Sequence, residues 1–392
     1  MFLQSLKLTN LLSFGPEGEA FPLRPLNVLV GPNGSGKSNL IEAISLLQAA
    51  PREISSPIYA GGGVSEWIWK GGTDRASSAT IEAELRNRET LQTLRHRVVF
   101  GEVSHRLDLR DERIESVEAD PTAEPFVYFR SDPTPILQRH SSPTSISQRR
   151  LSSENLSPQR SILAQFKDPE LYAEMDFVGE AYGDIALYRH WTFGHRAPAR
   201  SPQPVDLRSE RLEEDGRNLG LILNRYRLEP KTKRALVEAM KLVWDGIVDF
   251  SVKIEGGTVQ VFLEEVHGWS TPATRLSDGT MRWLWMLAVL LDPKPPRLVC
   301  IEEPELGLHP DLIPKLADLL KQASTRMQLV VTTHSEVLVD ALTESPEDIV
   351  ICERIDGSTR LRRLEAEALA KWLEDYRLGQ LWSKGVLGGN RW

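Results

Sequence analysis

Three short stretches of the chain, residues 27–30, 298–301 and 328–331, carry hydrophobic residues at consecutive positions (Val28–Val30, Leu298–Ile301 and Leu329–Val331) instead of at alternate or helical ones. A strand apolar on both sides belongs inside a sheet that is covered on both faces, the usual setting of parallel strands. Elsewhere the period changes. Leu40, Ile44 and Leu47 recur at helical spacing within 38–48, and Met281 to Leu291 is an apolar helical run. Residues 2–8 alternate, and 79–86, 96–100, 103–109 and 126–130 read as short, largely antiparallel strands that form a first lobe with them. Helices are predicted near 168–183 and 230–246. A hairpin is predicted where Gly256-Gly257 separates Val252–Ile254 from Val259–Leu263. Residues 131–160 are rich in Ser, Pro, Arg and Gln, which predicts a mobile loop. Its Arg139, Arg149, Arg150 and Arg160 are candidates for phosphate contact, against the plainer reading of a solvated loop.

Polar residues at the ends of the three apolar runs carry the candidate chemistry. After 27–30 comes Gly31-Pro32-Asn33-Gly34-Ser35-Gly36-Lys37-Ser38, and then a helix. Glycines let the loop curl so that successive N–H groups point inward, and the helix start adds its positive dipole end to that anion cradle. Lys37 would reach the β- and γ-phosphates of a nucleotide, and the Ser38 hydroxyl would ligate Mg²⁺. The run 298–301 ends in Glu302-Glu303. Beside a phosphate cradle, Glu302 would serve the Mg²⁺ shell, and Glu303 would orient or activate the attacking water. The run 328–331 leads to Thr332-Thr333-His334-Ser335, with Ser335 placed to cap a helix. Leu276-Ser277-Asp278-Gly279-Thr280 precedes the run 281–291, so Ser277 and the N–H groups after it form a second candidate anion site.

The order of phosphate loop, serine-glycine signature, acidic strand end and histidine strand end is that of ABC-type ATPases. The segments Leu26–Asn39, Leu276–Thr280 and Glu302-Glu303-Pro304-Glu305 running into Leu308-His309-Pro310 resemble the RecF-like predicted ATPases. These are relatives of SMC proteins and of the ATPase part of OLD-family proteins. The tail, with Trp372, Tyr376, Leu381-Trp382 and Gly388-Gly389, also looks like the ending of standalone members. The resemblance covers roughly 1–50 and 270–392. It implies an α/β fold: an ABC-type ATPase head with a mostly parallel core sheet, an antiparallel β lobe and an inserted helical/β region.

The expected divisions are 1–130 (lobe I), 131–265 (the inserted loop and helical/β region), 266–355 (lobe II) and 356–392 (a helical aromatic tail). The resemblance also implies cofactors ATP and Mg²⁺. Asn33, Gly34, Ser35, Gly36, Lys37, Ser38 and Asn39 would contact the nucleotide. Ser277 and Gly279 would face the ATP of a second copy in a head-to-tail homodimer or larger homo-oligomer. His334 would be the switch that touches the γ-phosphate. Where the family usually has Asp, this chain has Glu302. His309 belongs to the segment that crosses the family's dimer interface, or simply forms a turn before Pro310. A glutamine that senses Mg²⁺ and the γ-phosphate is expected between the lobes; by position alone Gln159 and Gln165 are candidates.

Composition sets limits. With 392 residues, 41% of them hydrophobic, the chain can bury a large core. The two cysteines sit in apolar runs and read as core thiols of a cytoplasmic protein, and neither a signal peptide nor a membrane span is expected. A net charge of −8 argues against a uniformly basic protein but leaves room for a local DNA groove. No long heptad stretch predicts a coiled-coil arm. Of ten tryptophans, Trp372, Trp382 and Trp392 make the tail a candidate docking element. No Asp-x-Asp pair of a Toprim-type nuclease occurs, so a nuclease or toxin-like effector is expected to be a separate protein; the resemblance implies a role in anti-phage defence or DNA repair. A transporter subunit and an ATP-gated scaffold without catalysis are the alternatives.

Overall fold

The computed structural model describes residues 2–72, 76–117, 124–142, 145–192 and 194–389. Its centre is a six-stranded sheet in the order Ile185–Tyr188, Leu298–Glu302, Gln328–Thr333, Leu26–Val30, Ile349–Ile355, Ser358–Arg363. All neighbours run parallel until the last strand, which pairs antiparallel. The consecutive apolar runs follow from its position. Val28, Val30, Val299, Ile301, Leu329 and Val331 enter one core, while Leu29, Leu298, Cys300 and Val330 enter the other. Each buried aliphatic side chain contributes roughly 1.5–3 kcal/mol, so a polar residue on either face would be costly. Cys300 and Cys352 are both buried and unpaired in the disulfide sense, as expected of core thiols.

One face is covered by the helix Lys37–Ala49, the helix Ala173–Gly183 and an eight-stranded antiparallel sheet. That sheet runs Ala20–Pro22, Leu3–Thr9, Ser78–Arg86, Thr93–Val103, Arg106–Ser116, Val127–Arg130, Ile136–Ser142, Ser145–Arg150. The last two strands correct the expectation for 131–160. Ile136 and Leu137 are buried and bring the segment onto the free edge of Val127–Arg130. The outermost strand keeps its polar side chains in solvent, which suits a sheet edge. The β lobe therefore continues to 150 and not 130, and Arg149 lies over the Phe166 ring at 5.5 Å.

The other face is covered by the helices Asp278–Leu290, Ile313–Ser324, Leu219–Arg227, Pro230–Met240, Ala366–Leu373 and Leu378–Ser383. Asp278–Leu290 is buried from Thr280 onward on every side, hence its unbroken apolar sequence. The expected hairpin is present: Ile247–Glu255 and Thr258–Glu265 turn through Gly256 and Gly257, whose φ values of 56° and 76° suit glycine. The region 131–265 is thus composite, because Ile185–Tyr188 within it is an edge strand of the central sheet. In the tail, Trp372 is half exposed, Trp382 donates to the Gly389 carbonyl at 3.0 Å, and Trp392 lies outside the described residues. Among the described residues no helix is long and apolar enough to cross a membrane.

Candidate functional site

The strands Leu26–Val30, Leu298–Glu302 and Gln328–Thr333 are neighbours and parallel, so the loops after them open at one edge of the sheet. There Lys37, Glu302, Glu303 and His334 come together. Lys37 is buried and donates to the Gly31 carbonyl at 2.7 Å and the Pro32 carbonyl at 2.9 Å. Burial lowers its pKa, and Cys352, Glu303 and Glu302 oppose that shift. Gly36 caps the helix with φ 103° and no side-chain acceptor, which leaves the first N–H groups available to an anion. A side chain at Gly36 would strike the Thr359 hydroxyl at 2.1 Å.

That hydroxyl is part of a brace absent from the sequence reading. Thr359 Oγ1 donates to the Ser35 carbonyl at 2.8 Å and accepts from the Ser13 hydroxyl at 2.7 Å, while Asn39 Nδ2 donates to the same Ser13 Oγ at 2.7 Å. Ser13 and Thr359 come from distant parts of the chain and hold the phosphate loop from below. Asn39 thereby points to Ser13.

Glu302 ends its strand half-buried. Burial raises its pKa, Arg189 and His190 pull it back, and Glu42 and Glu303 push it up again. A divalent cation would reverse the burial effect by favouring the carboxylate. Glu303 turns off the strand at φ 46°, a left-handed conformation costing roughly 1–3 kcal/mol in a non-glycine residue. Its N–H donates to the Thr332 carbonyl at 3.0 Å, and its carboxylate lies 3.8 Å from His334 Nε2. Glu305, whose pKa is raised by burial, accepts from Thr333 Oγ1 at 2.6 Å and from the His334 N–H at 3.1 Å. It therefore fixes the start of the histidine loop.

Ser277 and Gly279 stand at a separate helix start. Ser277 accepts from the Thr280 N–H at 3.1 Å, and Gly279 faces the Gly307 carbonyl, which a Cβ would meet at 3.1 Å. Buried Arg200 supports this loop by donating to the Leu276 carbonyl and, at 2.5 Å, to Asp278. His309 caps the short turn at Pro310–Leu312 by accepting from the Asp311 N–H at 3.3 Å.

Gln165 bonds to Ser157 and Arg160, closing its own loop. The strand leading from the first lobe to the acidic strand is instead Ile185–Tyr188, and it delivers Arg189 and His190 toward Glu302. Arg189 also lies 3.6 Å from Glu42 on the phosphate-loop helix. The run Ile185-Ala186-Leu187-Tyr188 was a readable signal for them, since it has the same pattern as the other core strands.

The residues fit Mg-ATP. Ser38 is exposed on the first turn of the helix, and a Cβ on Gly34 would meet nothing within 4 Å, so the outer side of the loop is open. Ser35 Oγ is buried without a hydrogen-bond partner among the described residues. A magnesium ion held by one hydroxyl, a nearby carboxylate, phosphate oxygens and water matches this donor set.

A family model described as AAA domain, putative AbiEii toxin, Type IV TA system matches residues 26–340. The fold is similar to that of the SMC head bound to the C-winged helix domain of ScpA, with TM-score 0.58 and 17% identity over 94% of this chain and 99% of that one. It is also similar to the Smc head domain with an extended coiled coil bound to the C-terminal domain of ScpA from Pyrococcus furiosus, with TM-score 0.55 and 15% identity over 95% and 99%. The Smc head domain with a coiled coil and joint from Pyrococcus yayanosii gives 0.52 and 12% over 95% and 99%. No curated protein matches. The fold is that of an ABC-type P-loop ATPase head.

Proposed function

The chain belongs to the family described as AAA domain, putative AbiEii toxin, Type IV TA system, and from that premise we propose a Mg-ATP hydrolase that dimerises on ATP and gates a separate effector. The observation that carries this reading is the meeting of Lys37, Glu302, Glu303 and His334 at adjacent strand ends, while Ser277 and Gly279 stand at a helix start of their own. Lys37 and the loop N–H groups bind the β- and γ-phosphates, and Ser38 and Glu302 serve the metal. Bound Mg²⁺ supplies charge neutralisation across the phosphates. Glu303 receives the proton of the attacking water, and His334, close to the Glu303 carboxylate, orients it against the γ-phosphate. Ser277 and Gly279 complete the site of a second copy, so closure and hydrolysis are linked.

The RecF-like and OLD-like motif order supports an ATPase that works on behalf of another protein, a nuclease or toxin-like effector docked on the aromatic tail or the 131–265 region. The family description supports a defence system over DNA repair. A DNA partner would bind through local basic clusters. A scaffold that closes on ATP without turnover is the second reading. The purified protein should hydrolyse ATP with Mg²⁺, shift to a dimer with ATP in the Glu303→Gln variant, and leave plasmid and linear DNA intact. A monomer that binds ATP but shows no Glu303-dependent turnover overturns the enzyme reading. Cleavage of DNA abolished by a point substitution in this chain overturns the separate effector.

A further inference from the structure

We propose that Arg282 is a positioning residue for hydrolysis: from the signature helix it holds the Glu303 peptide in its left-handed conformation and so aims the Glu303 carboxylate. The inference rests on the ATPase reading and deepens it.

Arg282 lies on Asp278–Leu290 and is almost wholly buried. Its Nη2 donates to the Glu303 carbonyl at 2.6 Å, and its Nε approaches the Pro304 carbonyl at 3.5 Å. The guanidinium sits 3.3 Å from the centroid of the Trp191 ring, and the Trp191 indole N–H donates to the Glu302 carbonyl at 2.7 Å. Two donors stacked on one another thus hold the carbonyls of two consecutive residues, both of them the carboxylates at the strand end. Trp285, from the same helix as Arg282, packs edge-on against Trp191 at 5.0 Å and completes the clamp.

A buried cation is costly, and burial pulls the Arg282 pKa down to about 9. An apolar residue would fill the space without that cost, but it would leave the Glu303 carbonyl without its donor and the left-handed peptide free to relax. The clamp also links two sites. Arg282 begins little more than one helical turn after Ser277, so a nucleotide pressing on the signature of one copy acts on Glu303 of that same copy.

The test uses the full chain and the variants Arg282→Met, Arg282→Lys and Trp191→Phe, alone and, for Arg282→Met, with Glu303→Gln. Arg282→Met should lose about 100-fold in kcat, the lower end of a general-base effect, while affinity for a non-hydrolysable ATP analogue stays within about threefold. Arg282→Lys should recover part of the loss, since an ammonium can still donate to the carbonyl. Trp191→Phe should lower kcat about tenfold with unchanged KM. In the Glu303→Gln background, Arg282→Met should cost no more than about twofold further, because both act through one carboxylate.

A folded Arg282→Met variant with wild-type kcat, or a full independent loss in the Glu303→Gln background, overturns the proposal. If Arg282→Met does not fold, unchanged kcat in Trp191→Phe does the same. A crystal structure of Arg282→Lys or Arg282→Met gives a readout independent of activity: a displaced Glu303 peptide supports the clamp in Arg282→Met, and an unmoved one overturns it. Absence of turnover in the wild type would sink the ATPase reading instead, with the Glu303 conformation still deciding the clamp.

Discussion

The chain builds two helix starts suited to an anion, and it treats them differently. At Lys37–Ala49 the cap is a glycine, no side chain accepts from the first turn, and no acidic residue stands there. At Asp278–Leu290 the cap Ser277 already occupies the Thr280 N–H, and Asp278 sits in the first turn. A carboxylate at that place offsets the dipole by about 0.3–1 kcal/mol, although Arg200 draws it aside and holds its pKa below the usual carboxylate range. The first start is left unsatisfied and can bind phosphate alone. The second is largely satisfied by its own residues, so it adds to a phosphate that is already held. Under the proposed function, the first site would capture the nucleotide and the second would report that a second copy has arrived.

The largest effects should come from the capturing side. Lys37→Ala removes the buried ammonium and should weaken ATP binding by at least about 100-fold, measured with a fluorescent nucleotide. Glu303→Gln should bind ATP within about threefold of wild type and lose about 10²–10⁴ in kcat. Equal loss of affinity in both variants would erase the division between capture and chemistry.

The second experiment attacks the comparison itself. Ser277→Arg should be inactive alone while still binding ATP. Mixed with Lys37→Ala it should recover about a quarter of wild-type turnover, since random pairing makes half of the dimers mixed and each mixed dimer has one intact composite site of two. No recovery at any ratio, with both variants folded and dimerising, would mean that Ser277 serves its own copy's nucleotide.

Much of the capturing side was legible because its signals are local. The strand, glycine loop and helix of residues 26–49 are contiguous, and burial of the strand on both faces forces the consecutive apolar residues Val28–Val30. The acidic and histidine strand ends were legible for the same reason. What supports them was not. Ser13, in a turn, and Thr359, on a strand, meet beside the phosphate loop from distant parts of the chain, and nothing in a Ser or Thr at such separation marks it in advance. Arg200, Trp191 and Arg282 act on backbone carbonyls, which carry no sequence signature. The hairpin within 131–160 was hidden because an edge strand needs only Ile136 and Leu137 to dock, and the rest of its composition is that of a loop.

A smaller effect should sharpen the reporting side. Arg200→Met removes the donor to the Leu276 carbonyl and the partner of Asp278, leaving a buried acceptor unmet. The cost should be about 1–3 kcal/mol in stability by denaturant titration. ATP affinity should be unchanged, but ATP-linked dimerisation should weaken, because the signature loop loses its support and Asp278 returns toward the helix axis. If ATP affinity falls while dimerisation is intact, Arg200 belongs to capture and the two sides are less separate than their helix starts imply.

The smallest expected effect concerns Glu305, which ties the acidic strand end to the histidine loop. One carboxylate oxygen accepts from Thr333 and the His334 N–H, while the other is buried without a hydrogen-bond partner among the described residues. Burial raises its pKa above the ordinary 4.5, so the native state binds this proton more tightly than the unfolded chain does. Stability from Glu305 is therefore fully present below pH 4.5 and is lost as pH rises through the folded value. Glu305→Gln keeps an acceptor for Thr333 and His334 but cannot ionise. Without metal or nucleotide, the variant should match wild type in acid and become more stable than wild type as the pH rises through the raised pKa of the folded state. Urea titrations across that range measure it. An advantage that is the same at every pH would place the effect in hydrogen bonding, and a loss of stability at high pH would mean that the Glu305 charge is wanted where it lies, as part of the nucleotide site.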